Sequence, residues 1–200
     1  MKMIMIGAGG HALSCMEIIK SLIKIRKIIF FSQLKTNKIK GYLVKKFSMN
    51  EIKKFQSEYK NAHVSFGQIN DLKSRSKMFN KLKKLGYCFP KIISKNCYLS
   101  KNSSVGEGSI IFNNVFINTE VKIGINCIIN NCSTLEHNVV VGDHTHIAPG
   151  AIINGDVKIG KNCFIGSGAV LKQGIKIADY TFIQAGKIVL RDSKKYEIIK

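Results

Sequence analysis

The sequence predicts a small α/β unit followed by a parallel β-helix, and three observations carry that reading. First, every sixth residue from Ile93 to Val189 is aliphatic: Ile93, Leu99, Val105, Ile111, Ile117, Ile123, Ile129, Leu135, Val141, Ile147, Ile153, Ile159, Ile165, Leu171, Ile177, Ile183 and Val189. Second, the residue four places further into each hexad is small or β-branched from Cys97 to Thr181, and only Lys187 breaks the series. Third, residues 1–88 lack this period and instead set a glycine-rich turn between an apolar strand and a helix.

A period of six matches neither the 3.6 of a helix nor the 3.5 of a heptad. It suits short strands joined by turns, three strands to a coil of about 18 residues, with coils stacked at the ~4.8 Å strand spacing. Every aliphatic residue then points to the axis. An ordinary sandwich would space its strands irregularly, by about 8–12 residues, and does not yield seventeen matches in phase. Gly106, Gly124, Gly142, Gly160 and Gly166 directly follow aliphatic positions, where a tight corner is expected to need φ > 0.

In the N-terminal region, Met3-Ile4-Met5-Ile6 reads as a buried strand, Gly7-Ala8-Gly9-Gly10-His11 as a turn, and Ala12 to Ile23 as a helix. Ile28 to Phe31 follows as a second strand, 48–59 as a helix, Val64 to Gly67 as a third strand, and Asp71 to Leu85 as an amphipathic helix. The order is Rossmann-like, and the expected domains are 1–88, a nucleotide-sugar-binding subdomain, and 89–200, the β-helix. A glycine-rich strand-to-helix turn presents backbone N–H groups and a helix N-terminus to an anion. Only part of the dinucleotide fingerprint is present, since Ala12 stands at its third glycine. The turn is therefore equally readable as a tight connection.

The hydrophobic fraction of 45% supports a genuine core. No apolar run approaches the roughly 18 residues of a membrane span, and Gly7 interrupts the first apolar run too early for a signal-peptide core. A soluble cytoplasmic protein is expected. Of the six cysteines, Cys97, Cys127 and Cys163 fall on one phase of the repeat and read as packing residues; Cys15, Cys88 and Cys132 read as free thiols. The net charge of +20 is spread along the whole chain without an aromatic-interleaved basic cluster, which argues against nucleic acid and for a solvated surface that favours anionic substrates.

Three of the five histidines, His137, His144 and His146, lie in two consecutive hexads, Leu135 to Val140 and Val141 to His146. The repeat keeps all three off the axial positions, so His137 and His146 project outward, nine residues apart, where a neighbouring subunit can meet them. A shared metal would need a further histidine about two coils upstream, and residues 93–130 contain none; no metal is expected. General-base chemistry suits an imidazole that titrates near neutral pH. Surface or interface histidines without chemistry are the plain alternative.

These residues resemble the bacterial sugar O- and N-acetyltransferases of the sialic-acid O-acetyltransferase type, which include the UDP-4-amino-sugar N-acetyltransferases of glycan biosynthesis. The carriers of the resemblance are Gly7 to His11, Asn130 ahead of Glu136-His137, Gly142-Asp143-His144-Thr145-His146-Ile147-Ala148-Pro149-Gly150-Ala151, and Gly155-Asp156-Val157-Lys158-Ile159-Gly160. The resemblance implies a left-handed helix, a homotrimer, active sites between subunits and acetyl-CoA along the solenoid. It implies His137 as general base, Asn130 as a positioning residue and the Gly155 amide as oxyanion donor. His146, Gly155, Ser167 and Ala185 would bind the coenzyme, and Gly7, Gly9, Gly10 and His11 the UDP-linked sugar.

The chain departs from that family in three places. Asn138 stands where an acidic residue often follows the base histidine, leaving Glu136 or Asp143 to orient the ring. Ser32-Gln33 replaces an acidic pair after the second strand. The last coil reads Gln184-Ala185-Gly186-Lys187, and the chain continues to Tyr196-Glu197-Ile198-Ile199-Lys200 without the Gly-x-Pro-Ala-Lys closing segment. An O-acetyltransferase acting on sialic or another nonulosonic acid, and a non-catalytic binding or assembly solenoid, are the alternatives.

Overall fold

In a computed structural model, residues 1–22, 27–33, 38–69 and 71–200 are described. The chain divides into two compact units, residues 1–67 with 77–90 and residues 68–76 with 91–200.

The first unit holds a five-stranded sheet in the order β3-β4-β2-β1-β5, built from β1 (Lys2–Ile6), β2 (Lys27–Ser32), β3 (Lys38–Ile39), β4 (Tyr42–Lys46) and β5 (Asn61–Val64). All pairings are parallel except β3 with β4. Met3, Ile4 and Met5 of β1 are fully buried, as a central parallel strand covered on both faces requires. The helices are α1 (Gly10–Leu22), α2 (Met49–Phe55) and α3 (Ser74–Lys84). The expected end of the first helix, Ile23, lies outside the described residues.

The helix expected over Asp71 to Leu85 runs from Ser74 to Lys84, with Asp71 accepting from the Lys73 and Ser74 N–H groups ahead of it, and three other elements depart further from the sequence reading. The helix expected over 48–59 stops at Phe55. Ser48 caps its start by accepting from the Glu51 N–H, the usual role of a serine at this position. Its other end gives way where Gln56 donates to the Gly86 carbonyl and Tyr59 packs its ring against Phe55. The third strand comes earlier than expected, because its register with β1 runs from Met3↔Asn61 to Ile6↔Val64. Beyond it, Ser65 donates to the Ile6 carbonyl from both its N–H and its hydroxyl. The hairpin of β3 and β4 was not foreseen. Its two-residue loop, Lys40-Gly41, has φ of 46° and 82°, the positive pair that a type I′ turn demands.

The second unit is the β-helix. Two-residue strands run from Ile92–Ile93 to Ile188–Val189, and a last pair, Ile198–Ile199, closes one sheet. Each strand up to Leu171 pairs in parallel with the one eighteen residues on, as in Ile128↔His146 and Ile129↔Ile147, and Phe182–Ile183 pairs with the closing strand sixteen residues on. The three sheets are the faces of a prism. From Val105 onward every aliphatic hexad position is buried, and Ile93 and Leu99 are half-buried at the open first coil. The small-residue column from Ser109 to Thr181 is buried throughout.

The corner glycines follow a different rule from the one expected. None of Gly106, Gly124, Gly142, Gly160 and Gly166 has positive φ. Their constraint is the next coil: a Cβ on Gly142 would lie 2.5 Å from the Gly160 carbonyl carbon, and one on Gly166 2.4 Å from the Ala185 nitrogen. The left-handed residue sits two places later in the hexad, at Asn114, Glu120, Asn126, Cys132, Asn138, His144, Gly150, Asp156, Asn162, Gly168, Gly174, Tyr180 and Gly186. Asparagine, aspartate and glycine dominate that column because they tolerate this region best.

Each face has its own outward column. Ile92, Ile110, Ile128, His146 and Phe164 on the first face are buried. Tyr98, Phe116, Ile152 and Ile188 on the second are exposed, with Thr134 and Val170 half-buried between them. The third presents Ser104, Lys122, Val140, Lys158 and Lys176.

Candidate functional site

The corner that follows the second face holds His137, Asn138, Gly155 and Asp156. His137 and Gly155 are eighteen residues apart, so the repeat stacks one on the other. A Cβ on Gly155 would lie 2.5 Å from both Cε1 and Nε2 of His137, so only glycine admits the ring here. Among the described residues the Gly155 N–H donates no hydrogen bond, whereas the next amide, of Asp156, donates to the His137 carbonyl at 3.0 Å. A half-buried imidazole edge thus lies over Gly155, whose N–H donates no hydrogen bond among the described residues.

The residue that meets the His137 ring is Asn138. Its Nδ2 lies 3.3 Å from His137 Nδ1 and 2.9 Å from Asp156 Oδ1. Neither acidic residue expected to orient the ring does so: Glu136 accepts from Asn118 Nδ2 at 2.6 Å, and Asp143 accepts from the Ile125 N–H at 3.0 Å. Both are drawn to the coil before, because an unpaired N–H or amide at a corner is costly. Asn138 and Asp156 were missed as site residues; the signal for them was their eighteen-residue spacing on the left-handed column.

The corner that follows the first face holds Asn130, Ser167 and Ala185, with His146 on the strand leading into it. Ser167 and Ala185 are exposed and stack on consecutive coils, Gly186 donating to the Ser167 carbonyl at 2.8 Å. Asn130 is half-buried, and its Oδ1 accepts from the Asn131 N–H at 2.9 Å. His146 points away from the axis but is only 5% exposed, with its ring edge-on to Phe164 at 5.1 Å. In one chain, therefore, the expected residues of the β-helix form two groups, separated by the exposed apolar face.

His144 is on the left-handed column with φ of 62° and is 8% exposed. Its Nδ1 lies 3.0 Å from Asn126 Nδ2, while Arg75 donates to both the carbonyl and the Oδ1 of Asn126 at 2.9 Å. Burial pushes its pKa down to about 4, opposed by the Asp143 carboxylate and reinforced by Arg75 and Lys161. A group held neutral this firmly serves packing rather than proton transfer at neutral pH.

In the first unit, Gly7 has φ of 105° with the Ser65 carbonyl 3.2 Å from where a Cβ would sit. Gly9 and Gly10 are exposed, with nothing within 4 Å of an added Cβ, at the start of α1. His11, one turn before Cys15, has its Nε2 3.5 Å from that thiol. Ser32 is buried and Gln33 exposed at the end of β2.

None of the six cysteines forms a disulfide. Burial raises the Cys127 thiol to about 12 and the Cys163 thiol to about 11, which makes both inert packing residues. Among the described residues no three His, Cys, Asp or Glu side chains group as a metal site, and no helix is long and apolar enough to cross a membrane. An apolar cleft of about 490 Å³ is lined by Ile69, Leu72, Tyr180, Phe182, Tyr196 and Ile198, none of them an expected site residue.

A glycine-turn α/β unit with a left-handed β-helix of hexapeptide repeats defines the class of this protein. The chain belongs to the GMPPB C-terminal domain family, whose family model matches residues 93–196, and residues 2–82 match the PglD N-terminal domain. Among solved structures, it is similar to the acetyltransferase domain of PglB from Neisseria gonorrhoeae FA1090 in complex with acetyl coenzyme A. That match has a TM-score of 0.88 and 24% identity and covers 96% of this chain and 91% of that one. PerB from Caulobacter crescentus, in complex with CoA and GDP-perosamine, gives a TM-score of 0.87 at 24% identity, covering 100% and 92%. WeeI from Acinetobacter baumannii AYE gives 0.87 at 23% identity, covering 98% and 94%. At these identities the likeness establishes the fold. No curated relative matches the chain.

Proposed function

We propose that the protein transfers an acetyl group from acetyl-CoA to the amine of an amino-deoxy sugar carried on UDP, for bacterial glycan biosynthesis in the cytoplasm. The observation that carries this reading is the His137 ring stacked on Gly155, whose N–H donates no hydrogen bond among the described residues. A thioester is already activated, so the reaction needs proximity, a base and an oxyanion donor rather than a covalent nucleophile. The sugar amine attacks the thioester carbonyl, His137 takes its proton, and the Gly155 N–H stabilises the tetrahedral oxyanion. Collapse expels the CoA thiolate, which takes up the proton from His137. An oxyanion donor of this kind contributes about 3–4 kcal/mol.

The reading assigns residues 89–200 as the acyltransferase domain and 1–88 as the nucleotide-sugar subdomain, with Gly7, Gly9, Gly10 and His11 facing the acceptor. Asn130 positions it, and His146, Gly155, Ser167 and Ala185 hold the coenzyme. The two residue groups lie on either side of the exposed face of Tyr98, Phe116, Ile152 and Ile188. Packing that face against a second copy, in a threefold trimer, would bring the first corner of one subunit to the second corner of the next and complete each site. GDP-perosamine in PerB supports an amino sugar on a nucleoside diphosphate as the acceptor class. Asn138 in place of a carboxylate beside His137 favours an amine, which gives up its proton more readily than a sugar hydroxyl.

The purified protein should add one acetyl mass to a UDP-linked amino sugar, and His137→Ala should lower kcat by about 10²–10⁴-fold. Failure to acetylate any of a panel of 3-amino and 4-amino nucleotide sugars would overturn the reading.

A further inference from the structure

We propose that Asp156 and Asn138 form a positioning pair that fixes the neutral tautomer of His137 with its proton on Nε2. The argument begins at the carboxylate. Asp156 Oδ1 lies 2.9 Å from the terminal amide atom of Asn138. A carboxylate only accepts, so that amide atom has to be the NH₂ group; the flipped amide would oppose two oxygens. The same Nδ2 lies 3.3 Å from His137 Nδ1. With one hydrogen directed at Asp156, its second is directed at Nδ1, which must offer a lone pair. The remaining proton of the neutral ring is then on Nε2, the edge that lies against Gly155.

The backbone builds this chain of contacts. Asn138 and Asp156 have φ of 62° and 61° on the left-handed column, eighteen residues apart, so consecutive coils hold one over the other. Glu136 is engaged with Asn118 and Asp143 with the Ile125 N–H, so neither supplies an acceptor for an Nδ1 proton. His144 repeats the logic with opposite charge. Arg75 donates to Asn126 Oδ1, which turns the Asn126 Nδ2 toward His144 Nδ1.

The catalytic consequence rests on the transferase reading. A base acting through Nε2 has no lone pair there until the ring moves its proton from Nε2 to Nδ1 through solvent and gives up the Asn138 contact. Asp156 and Asn138 therefore restrain the reaction. Freeing the amide by Asp156→Asn should raise kcat about 2–10-fold with KM unchanged, the equivalent of one neutral hydrogen bond.

The test uses the full chain labelled with ¹⁵N-histidine at alkaline pH, where imidazoles are neutral. Multiple-bond ¹H–¹⁵N correlation reads the tautomer, and the His137 signals are assigned by their loss in His137→Gln. The wild type should show His137 as Nε2–H. Asp156→Asn should move at least half the population to Nδ1–H, and Asn138→Asp, which sets an acceptor beside Nδ1, should invert it. Both replacements suit a left-handed backbone, and unchanged signals from the other four histidines certify the fold. His137 as Nδ1–H in the wild type, or an unaltered pattern in both variants, would overturn the inference. The spectra need no acceptor, so a protein with this tautomer that acetylates nothing removes the transferase reading alone.

Discussion

The second and third faces of the β-helix share one repeat, one inward column and one register, yet they meet solvent in opposite ways. Phe116 and Ile152 are 39% and 41% exposed on the second face, while Lys122 and Lys158 occupy the matching outward positions of the third. A row of exposed apolar side chains on one face marks an association surface. A row of lysines blocks one by charge repulsion and desolvation. The difference teaches that inward residues build the prism and outward residues decide what each face is for.

The largest effect should come from breaking this contrast. Placing charge on the apolar face with Phe116→Glu and Ile152→Glu should abolish the proposed trimer, read by light scattering, and take the proposed acetyl transfer to background, because on that reading each corner then lacks its partner group. A variant that stays trimeric and active would place the subunit boundary elsewhere. Next in size is the shared inward column: Ile147→Ala should destabilise the fold by about 2–5 kcal/mol in urea unfolding, as a fully buried aliphatic side chain does.

His144 tests the corner that follows the third face. Its folded pKa, about 4, lies below the unfolded value near 6.5. Between those values the unfolded chain binds a proton that the folded one refuses. The stabilisation is complete above about pH 6.5 and is lost as pH falls toward 4, by up to about 2 kcal/mol once partial solvent access is allowed for. His144→Asn should flatten the fall in urea midpoint over that window; an equally steep fall in the variant would reject the assignment. Gly142→Ala should cost about 1–3 kcal/mol, because its Cβ meets the Gly160 carbonyl carbon at 2.5 Å. Lys158→Glu, alone on the lysine face, should change stability by less than about 0.5 kcal/mol, leaving the state of association unchanged.

The first unit was less legible than the β-helix. A short α/β segment gives each strand one chance to be recognised, and Lys38 to Lys46 carries no alternation that marks an edge hairpin. Its turn, Lys40-Gly41, signals only through backbone angles. In the β-helix an error at one hexad is corrected by sixteen others. Even so, the reason for the corner glycines was misassigned, because sequence shows where glycine recurs and not whether φ or a neighbouring coil demands it.

The sequence alone determined the axial column, the stacking of residues eighteen apart and hence the meeting of His137 with Gly155, since a strict period leaves each residue one direction to point. Only the tertiary structure decided which acidic groups reach which partners. Glu136 turns to Asn118 and Asp143 to Ile125, and Asn138 takes the place beside the imidazole. Hydrogen bonds are directional and a side chain has several rotamers, so a period fixes where a residue sits and not which donor it will satisfy.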